Sequence, residues 1–251
     1  MIKEDRLKFK KLFGIDCAAL SQRLIISPFF SPKLFGLKLK NSKYFKGLIY
    51  KGVTGTYQGQ TITFINTGIG PMLVADSILA QDQDNVCSVI FIGAVGGVTS
   101  LSIADIVLIK QAYFDAGYYQ RLAINFKNYS SVNNLKPDNK LMQLCSDFLS
   151  KQKIKAKEIN VISLNSLWHQ DDNLIQQIKK KGIQAVDLEC AFFYAMAKKQ
   201  KIKALALCYV SDLLLTKPYW HDLSCIDRIQ VQKSISYLIE VALELSILVK
   251  S

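Results

Sequence analysis

Residues 204–212 read ALALCYVSD, which is a run of seven apolar residues followed by a serine and an aspartate. The continuous hydrophobicity predicts a strand over 204–210 that is buried on both faces, as strands of parallel sheets are. Ser211 and Asp212 then lie at its carboxyl end, where ligands collect in α/β sheets. Burial beside such a strand raises the pKa of an acid toward the range useful for a general acid. Asp212 is therefore a candidate catalytic acid, with a helix cap or a hydrogen-bonded loop aspartate as the alternative.

Apolar strands alternate with amphipathic helices along the rest of the chain. Strands are predicted at residues 24–26, 47–55, 60–66, 88–92, 104–109, 159–163 and 185–188. Helices are predicted at residues 72–80, 137–150, 171–180, 189–199 and 222–249. This pattern predicts an α/β fold, a three-layer sandwich whose mixed, mostly parallel twisted sheet is covered by helices on both faces. No repeat or linker interrupts it, so we expect one domain over residues 1–251.

The composition is that of a globular protein: half of the 251 residues are hydrophobic and the formal net charge is +12. The lysines are spread over many segments and no nucleic-acid motif accompanies them, so we expect solvated surfaces and no nucleic-acid partner. No apolar run approaches the ~20 residues of a membrane span, so a soluble, cytoplasmic protein without membrane contact is expected. The six cysteines form no C-x-x-C pair and are expected to be reduced core residues. No metal site is expected, because only His169 and His221 are available and no ligand spacing fits.

Glycines follow two of the predicted strands. Thr67-Gly68-Ile69-Gly70 comes after strand 60–66, and residues 93–97, GAVGG, come after strand 88–92. Glycine lets backbone N–H groups approach a ligand closely. Two ligand-binding loops are therefore expected, with tight structural turns as an equally weighted alternative.

An acidic pair lies at a strand-to-helix junction in residues 185–190, AVDLEC. Alternation along a strand points Asp187 and Glu189 to the same side. A carboxylate at a helix N-terminus is also stabilised by the helix dipole, so helix capping is the competing interpretation.

Taken in order, these four segments resemble the nucleoside phosphorylase superfamily, which includes purine nucleoside and uridine phosphorylases and methylthioadenosine/S-adenosylhomocysteine nucleosidase. Residues 67–70 resemble the family's T/S-G-M/I-G turn. Residues 89–97 resemble its G-x-x-G-G segment, and 104–107 its G-D-I-V. Residues 185–190 resemble V-E-M-E-A, and residues 210–212 the closing V/I-S-D.

The resemblance implies a role for each site residue. Glu189 would accept hydrogen bonds from the ribose hydroxyls, and Asp212 would protonate the purine at N7. Trp168 would stack on the base, while Ile69 and Leu188 would line the sugar. The remaining residues expected to contact substrate are Asp187, Ser211, Gly70, Gly93, Ala94, Val95 and Gly96. The family also implies a homo-oligomer, a dimer or a hexamer.

The chain departs from the family where phosphate is held. The family's G-D-P-x-R turn is replaced by Ser27-Pro28, its second phosphate arginine by Phe91 and a serine by Ala94. The carboxylate with which the nucleosidases activate water is also absent near Ser27. Because the phosphate ligands of the family are replaced at three positions, we expect cleavage of the N-ribosidic bond of a purine-type nucleoside by hydrolysis. The alternatives are phosphorolysis at a remodelled site, with phosphate as co-substrate and Lys33 supplying charge, and an inactive nucleoside-binding or storage protein. No cofactor is implied.

Overall fold

A computed structural model of the chain describes residues 3–81, 86–115, 135–168 and 170–249. The helices in these ranges are α1 (Lys3–Phe13), α2 (Pro32–Gly36), α3 (Pro71–Leu79), α4 (Asn139–Lys151), α5 (Asp172–Lys180), α6 (Cys190–Lys199) and α7 (Cys225–Leu248), with a 3₁₀ turn at Cys17–Ala19. The strands are β1 (Arg23–Ser27), β2 (Lys40–Lys46), β3 (Lys51–Tyr57), β4 (Gln60–Asn66), β5 (Ser88–Gly97), β6 (Ile106–Phe114), β7 (Ala156–Ser163), β8 (Ala185–Asp187) and β9 (Lys203–Leu213).

The strands form one mixed sheet in the order β2-β3-β4-β1-β5-β8-β7-β6-β9. The strand β9 also pairs with β5, so β5, β8, β7, β6 and β9 form a closed ring. The parallel pairings are β1 with β4, β1 with β5, β5 with β9, β6 with β7 and β7 with β8. The other four pairings in the described residues are antiparallel. The mixed, mostly parallel sheet is thus confirmed.

Helices cover both faces of the sheet. On one face, Phe13 of α1 and Phe193 of α6 belong to the same buried cluster as the side chains of α3. On the other face, Phe35 of α2 and Leu238 of α7 share a second cluster with α4. A smaller cluster joins Ile175 of α5 to the ring of strands. This arrangement confirms the three-layer sandwich.

Four of the described helices begin at side-chain caps, which satisfy amide groups that have no partner within the helix; in α2 the cap is the hydroxyl of Ser31, which accepts from the amide of Lys33. The other capping acceptors are Asp138 for α4, Asp171 for α5 and Ser224 for α7. The capped ends bring the preceding loops back to the sheet, and the loop before α5 is one that lines the cavity described below.

The glycine-rich stretch 93–97 was predicted as a loop, and that prediction is wrong. It continues β5, pairing with β9 at Ala94 and with β8 at Gly96. Glycine serves packing here: a Cβ on Gly96 would lie 3.0 Å from the side chain of Leu214, and one on Gly93 would lie 2.6 Å from the ring of Phe91.

The elements α1, α2 and β2 were not predicted, and β3 begins at Lys51 instead of residue 47. Residues 47–50 bond to the end of α1 instead of to the sheet, as the amide of Tyr50 donates to the carbonyl of Leu12 at 3.1 Å. The expectation that all cysteines lie in the core is wrong for Cys225, which is exposed, although all six thiols are free. In the described part of the chain, no helix has both the length and the apolar character needed to cross a membrane.

Candidate active site

A cavity of about 210 Å³ opens at the carboxyl ends of β8 and β9. Eight of the predicted site residues line it: Ile69, Ala94, Gly96, Asp187, Leu188, Glu189, Ser211 and Asp212. The other lining residues are Pro28, Phe29, Leu167, Gln170, Val186, Leu214 and Tyr219. The fold therefore gathers segments that are up to about 190 residues apart in sequence around one concave site.

Asp212 is buried in this cavity, with 5% of its surface exposed. The hydroxyl of Ser211 donates to its Oδ1 at 2.5 Å. Its Oδ2 has no hydrogen-bond partner among the described residues. Burial raises the pKa of Asp212, and the hydroxyl of Ser211 and the backbone amide of Tyr219 oppose that rise. Because Ser211 occupies Oδ1, Oδ2 is the oxygen that can carry a proton for transfer.

Glu189 immediately precedes α6 and lies 5% exposed in the same cavity. Its Oε1 accepts a hydrogen bond from the amide of Gly70 at 2.8 Å. Gly70 has φ +124°, a conformation that L side chains rarely adopt, so this contact requires glycine. Burial, with the negative charge of Asp187, raises the pKa of Glu189 to about 8. The protonated form of Glu189 is therefore favoured over a wider pH range than that of a free glutamic acid.

Asp187 acts as a helix cap even though it borders the cavity. Its Oδ1 accepts from the hydroxyl of Ser163, and its Oδ2 accepts from the amide of Cys190 at 2.7 Å. The Ser163 oxygen in turn accepts from the amide of Ala191 at 2.8 Å. Both carboxylate oxygens are thus used within the protein, so Asp187 holds the junction that positions Glu189.

Four predicted substrate contacts do not line the cavity: Trp168, Gly70, Gly93 and Val95. The indole of Trp168 is 91% exposed, and its neighbour Leu167 lines the cavity instead. Val95 is buried in the core. From the sequence, Arg121 is a further polar residue that could contribute to the site, and Tyr118 and Tyr119 could serve a subunit interface. These three residues and His169 lie outside the described residues.

Gln170 and Tyr219 line the cavity and were not predicted. They lie on the segments that follow β7 and β9, so the rule that placed Asp212 at a strand end also points to them. Neither residue is part of one of the family's recognised motifs, so the resemblance did not predict them.

The described lining of the cavity contains three carboxyl groups and no lysine, arginine or histidine. Phe91, at the position of the family's arginine, is buried in the core with its ring centroid 5.4 Å from that of Phe193. Lys33 is exposed in the first turn of α2 and does not line the cavity. No group of three His, Cys, Asp or Glu side chains in the described ranges is arranged to hold a metal ion.

A protein family and several known proteins are similar to this chain. A family model described as Phosphorylase superfamily matches residues 27–229. A DeoD-type purine nucleoside phosphorylase of Buchnera aphidicola is 29% identical over 195 residues, covering 76% of this chain and 78% of that protein. A second DeoD-type purine nucleoside phosphorylase, from Vibrio vulnificus, is 28% identical over 200 residues, covering 78% of this chain and 79% of that protein.

The fold is also shared with a solved structure. The uridine phosphorylase of Vibrio fischeri superposes with a TM-score of 0.79 at 20% identity, covering 94% of this chain and 95% of that one. The family match itself spans the segments that carry Glu189 and Asp212. The chain therefore belongs to the phosphorylase superfamily.

Proposed function

We propose that this protein cleaves the N-ribosidic bond of a purine-type nucleoside. The observation that carries the proposal is Asp212 Oδ2, a buried carboxyl oxygen without a partner in the described residues, at the edge of a cavity that fits a small molecule. The two relatives named above are purine nucleoside phosphorylases, which supports the purine assignment.

Asp212 is the general acid of the proposed reaction. When the bond between C1′ and N9 breaks, its electron pair moves into the base, and a proton from Oδ2 to N7 neutralises the leaving group. Burial keeps the pKa of Asp212 raised, so the proton is available. Proton transfer by a positioned side chain typically contributes ~10²–10⁴-fold to the rate.

Glu189 holds the ribose. Two hydroxyl donors from the sugar stabilise the carboxylate form and lower a pKa that burial has raised to about 8. Ile69 and Leu188 supply apolar contacts beside the sugar, since both line the cavity. Trp168 remains a proposed stacking partner of the base only if its exposed indole turns toward the cavity on binding.

Phosphate is the acceptor that the comparisons favour, because the similar proteins named above are phosphorylases. They do not favour the hydrolysis expected from the sequence. Because the described lining has no cation, positive charge for phosphate must come from elsewhere. Lys33, which follows the cavity-lining Phe29 by four residues, and a neighbouring subunit of a dimer or hexamer are the sources we propose.

A product assay tests this function. Adenosine, inosine, methylthioadenosine and uridine are each incubated with the protein, with and without phosphate. Base together with ribose 1-phosphate, formed only when phosphate is present, is the expected result for at least one purine nucleoside. Base released equally well without phosphate would show hydrolysis. Binding without release of base from any of the four would overturn the proposal.

A further inference from the structure

A second cavity, of about 230 Å³, lies at the opposite end of β9 from Asp212. The two ends of this strand, Lys203 and Asp212, are nine residues apart, or ~30 Å at 3.3 Å per residue. Its walls come from the segment before α4, the end of α6 and the start of β9. They consist of Leu135, Lys136, Pro137, Asp138, Tyr194, Ala197, Lys198, Lys201, Ile202, Lys203 and Ala204.

Four lysines surround this cavity, and we refer to it as the lysine cavity: Lys136, Lys198, Lys201 and Lys203. Within the described residues, none of the four forms an ion pair. The one carboxylate in the lining, Asp138, accepts a hydrogen bond from the amide of Leu141 at 3.0 Å and caps α4. The walls therefore present positive charge that the described protein does not neutralise.

Two carbonyl groups at the end of α6 are bonded to backbone amides and do not hold the lysine side chains. The amide of Ile202 donates to the carbonyl of Ala197 at 2.9 Å, and the amide of Lys201 donates to that of Lys198 at 3.2 Å. Lys201 has φ +56°, a conformation in which glycine is favoured after a helix. A lysine that lines the lysine cavity thus occupies a backbone conformation that favours glycine.

We propose that the lysine cavity binds a small multiply charged phosphoryl anion. Lysine ammonium groups are compact point charges that bind phosphate. Apolar walls at Leu135 and Ile202 reduce solvation around the anion and strengthen the attraction. The site is independent of the reaction proposed above and lies at the other end of the strand from it.

Lys201→Gly is the decisive variant, because it removes one charge while giving the backbone the residue that its conformation favours. Lys153→Gly is the matched control. Lys153 also has φ +56° after a helix, and the amide of Ile154 donates to the carbonyl of Leu149 at 2.9 Å in the same pattern. It follows the opposite end of α4, ~20 Å from the capped end that adjoins the cavity, and does not line it.

Calorimetric titration with inorganic pyrophosphate tests the proposal on the full chain. We expect Lys201→Gly to bind about tenfold more weakly, the scale of one charge-assisted hydrogen bond, with an unchanged or higher melting temperature. Lys153→Gly should bind like wild type. Equal weakening by both glycine variants would indicate unspecific attraction and overturn the proposal. So would absence of binding to wild type, or binding of an oligonucleotide without binding of pyrophosphate.

Discussion

Glu189→Gln tests whether the cavity holds a carboxyl group whose ionisation opposes folding. Burial and Asp187 raise the pKa of Glu189 from 4.5 to about 8. The folded protein therefore keeps a proton that the unfolded chain releases between these values. The protonated carboxyl group contributes its full share to the free energy of unfolding below about pH 4.5. This contribution is lost as the pH rises through the pKa of Glu189 in the folded protein, about 8. With roughly 1 kcal/mol per pKa unit, wild type loses about 3 kcal/mol between pH 5 and pH 8 that the variant does not lose.

Glutamine suits this comparison because its side-chain oxygen can still accept the hydrogen bond from Gly70. The free energy of unfolding is measured by urea denaturation of both proteins at intervals from pH 5 to pH 8. Other titrating groups are common to both, so only the difference between the two curves is used. Glu158→Gln, an exposed position on β7, controls for a general effect of losing one charge. If the difference in unfolding free energy between wild type and variant changes by less than ~1 kcal/mol over this range, burial does not raise the pKa of Glu189 as argued.

Three further predictions concern proton transfer and the core. Asp212→Asn should lower the turnover of a purine nucleoside at least ~tenfold. It should leave the turnover of an N7-methylated purine nucleoside unchanged, because that cationic base needs no proton. Equal losses on both substrates would show that Asp212 is not the general acid. Ser211→Ala removes a hydrogen bond that lowers the pKa of Asp212, so the alkaline limb of the kcat/KM profile should move to higher pH, and an acid shift would argue against this coupling. Tyr194→Phe should lower the free energy of unfolding by ~2 kcal/mol, because it leaves the carbonyl of Ile109 and the amide of Ala206 without the buried hydroxyl; a melt like that of wild type would show that these groups find other partners.

The strands of the central ring could be predicted because their hydrophobicity is continuous. The run at 204–210 marks β9, and its end places Asp212 correctly at the cavity. The AVDLEC segment likewise predicts a junction that carries Glu189 into the site. Both predictions rest on local pattern together with one general rule about strand ends.

The contacts between residues far apart in the chain could not be predicted from the sequence. Residues 93–97 look like a loop because they are rich in glycine, but β8 and β9 pair with them and extend β5. The cap that Asp187 forms with the amide of Cys190 is local and was one of the two interpretations of the sequence, but its second hydrogen bond comes from Ser163, 24 residues away. Trp168 was assigned from a motif alone, and its side chain lies outside the cavity. The pairing of β5 and the bond from Ser163 both join segments that are far apart in sequence, and no local pattern predicts such contacts.

The most direct test of the account is the yield of products from inosine and adenosine incubated with the wild-type protein and phosphate. Separation by chromatography gives the amounts of free base and of ribose 1-phosphate. Equal amounts of the two are expected from at least one of these nucleosides, and Asp212→Asn should form both products at least ~tenfold more slowly. Intact nucleoside after hours of incubation with wild type would contradict this expectation.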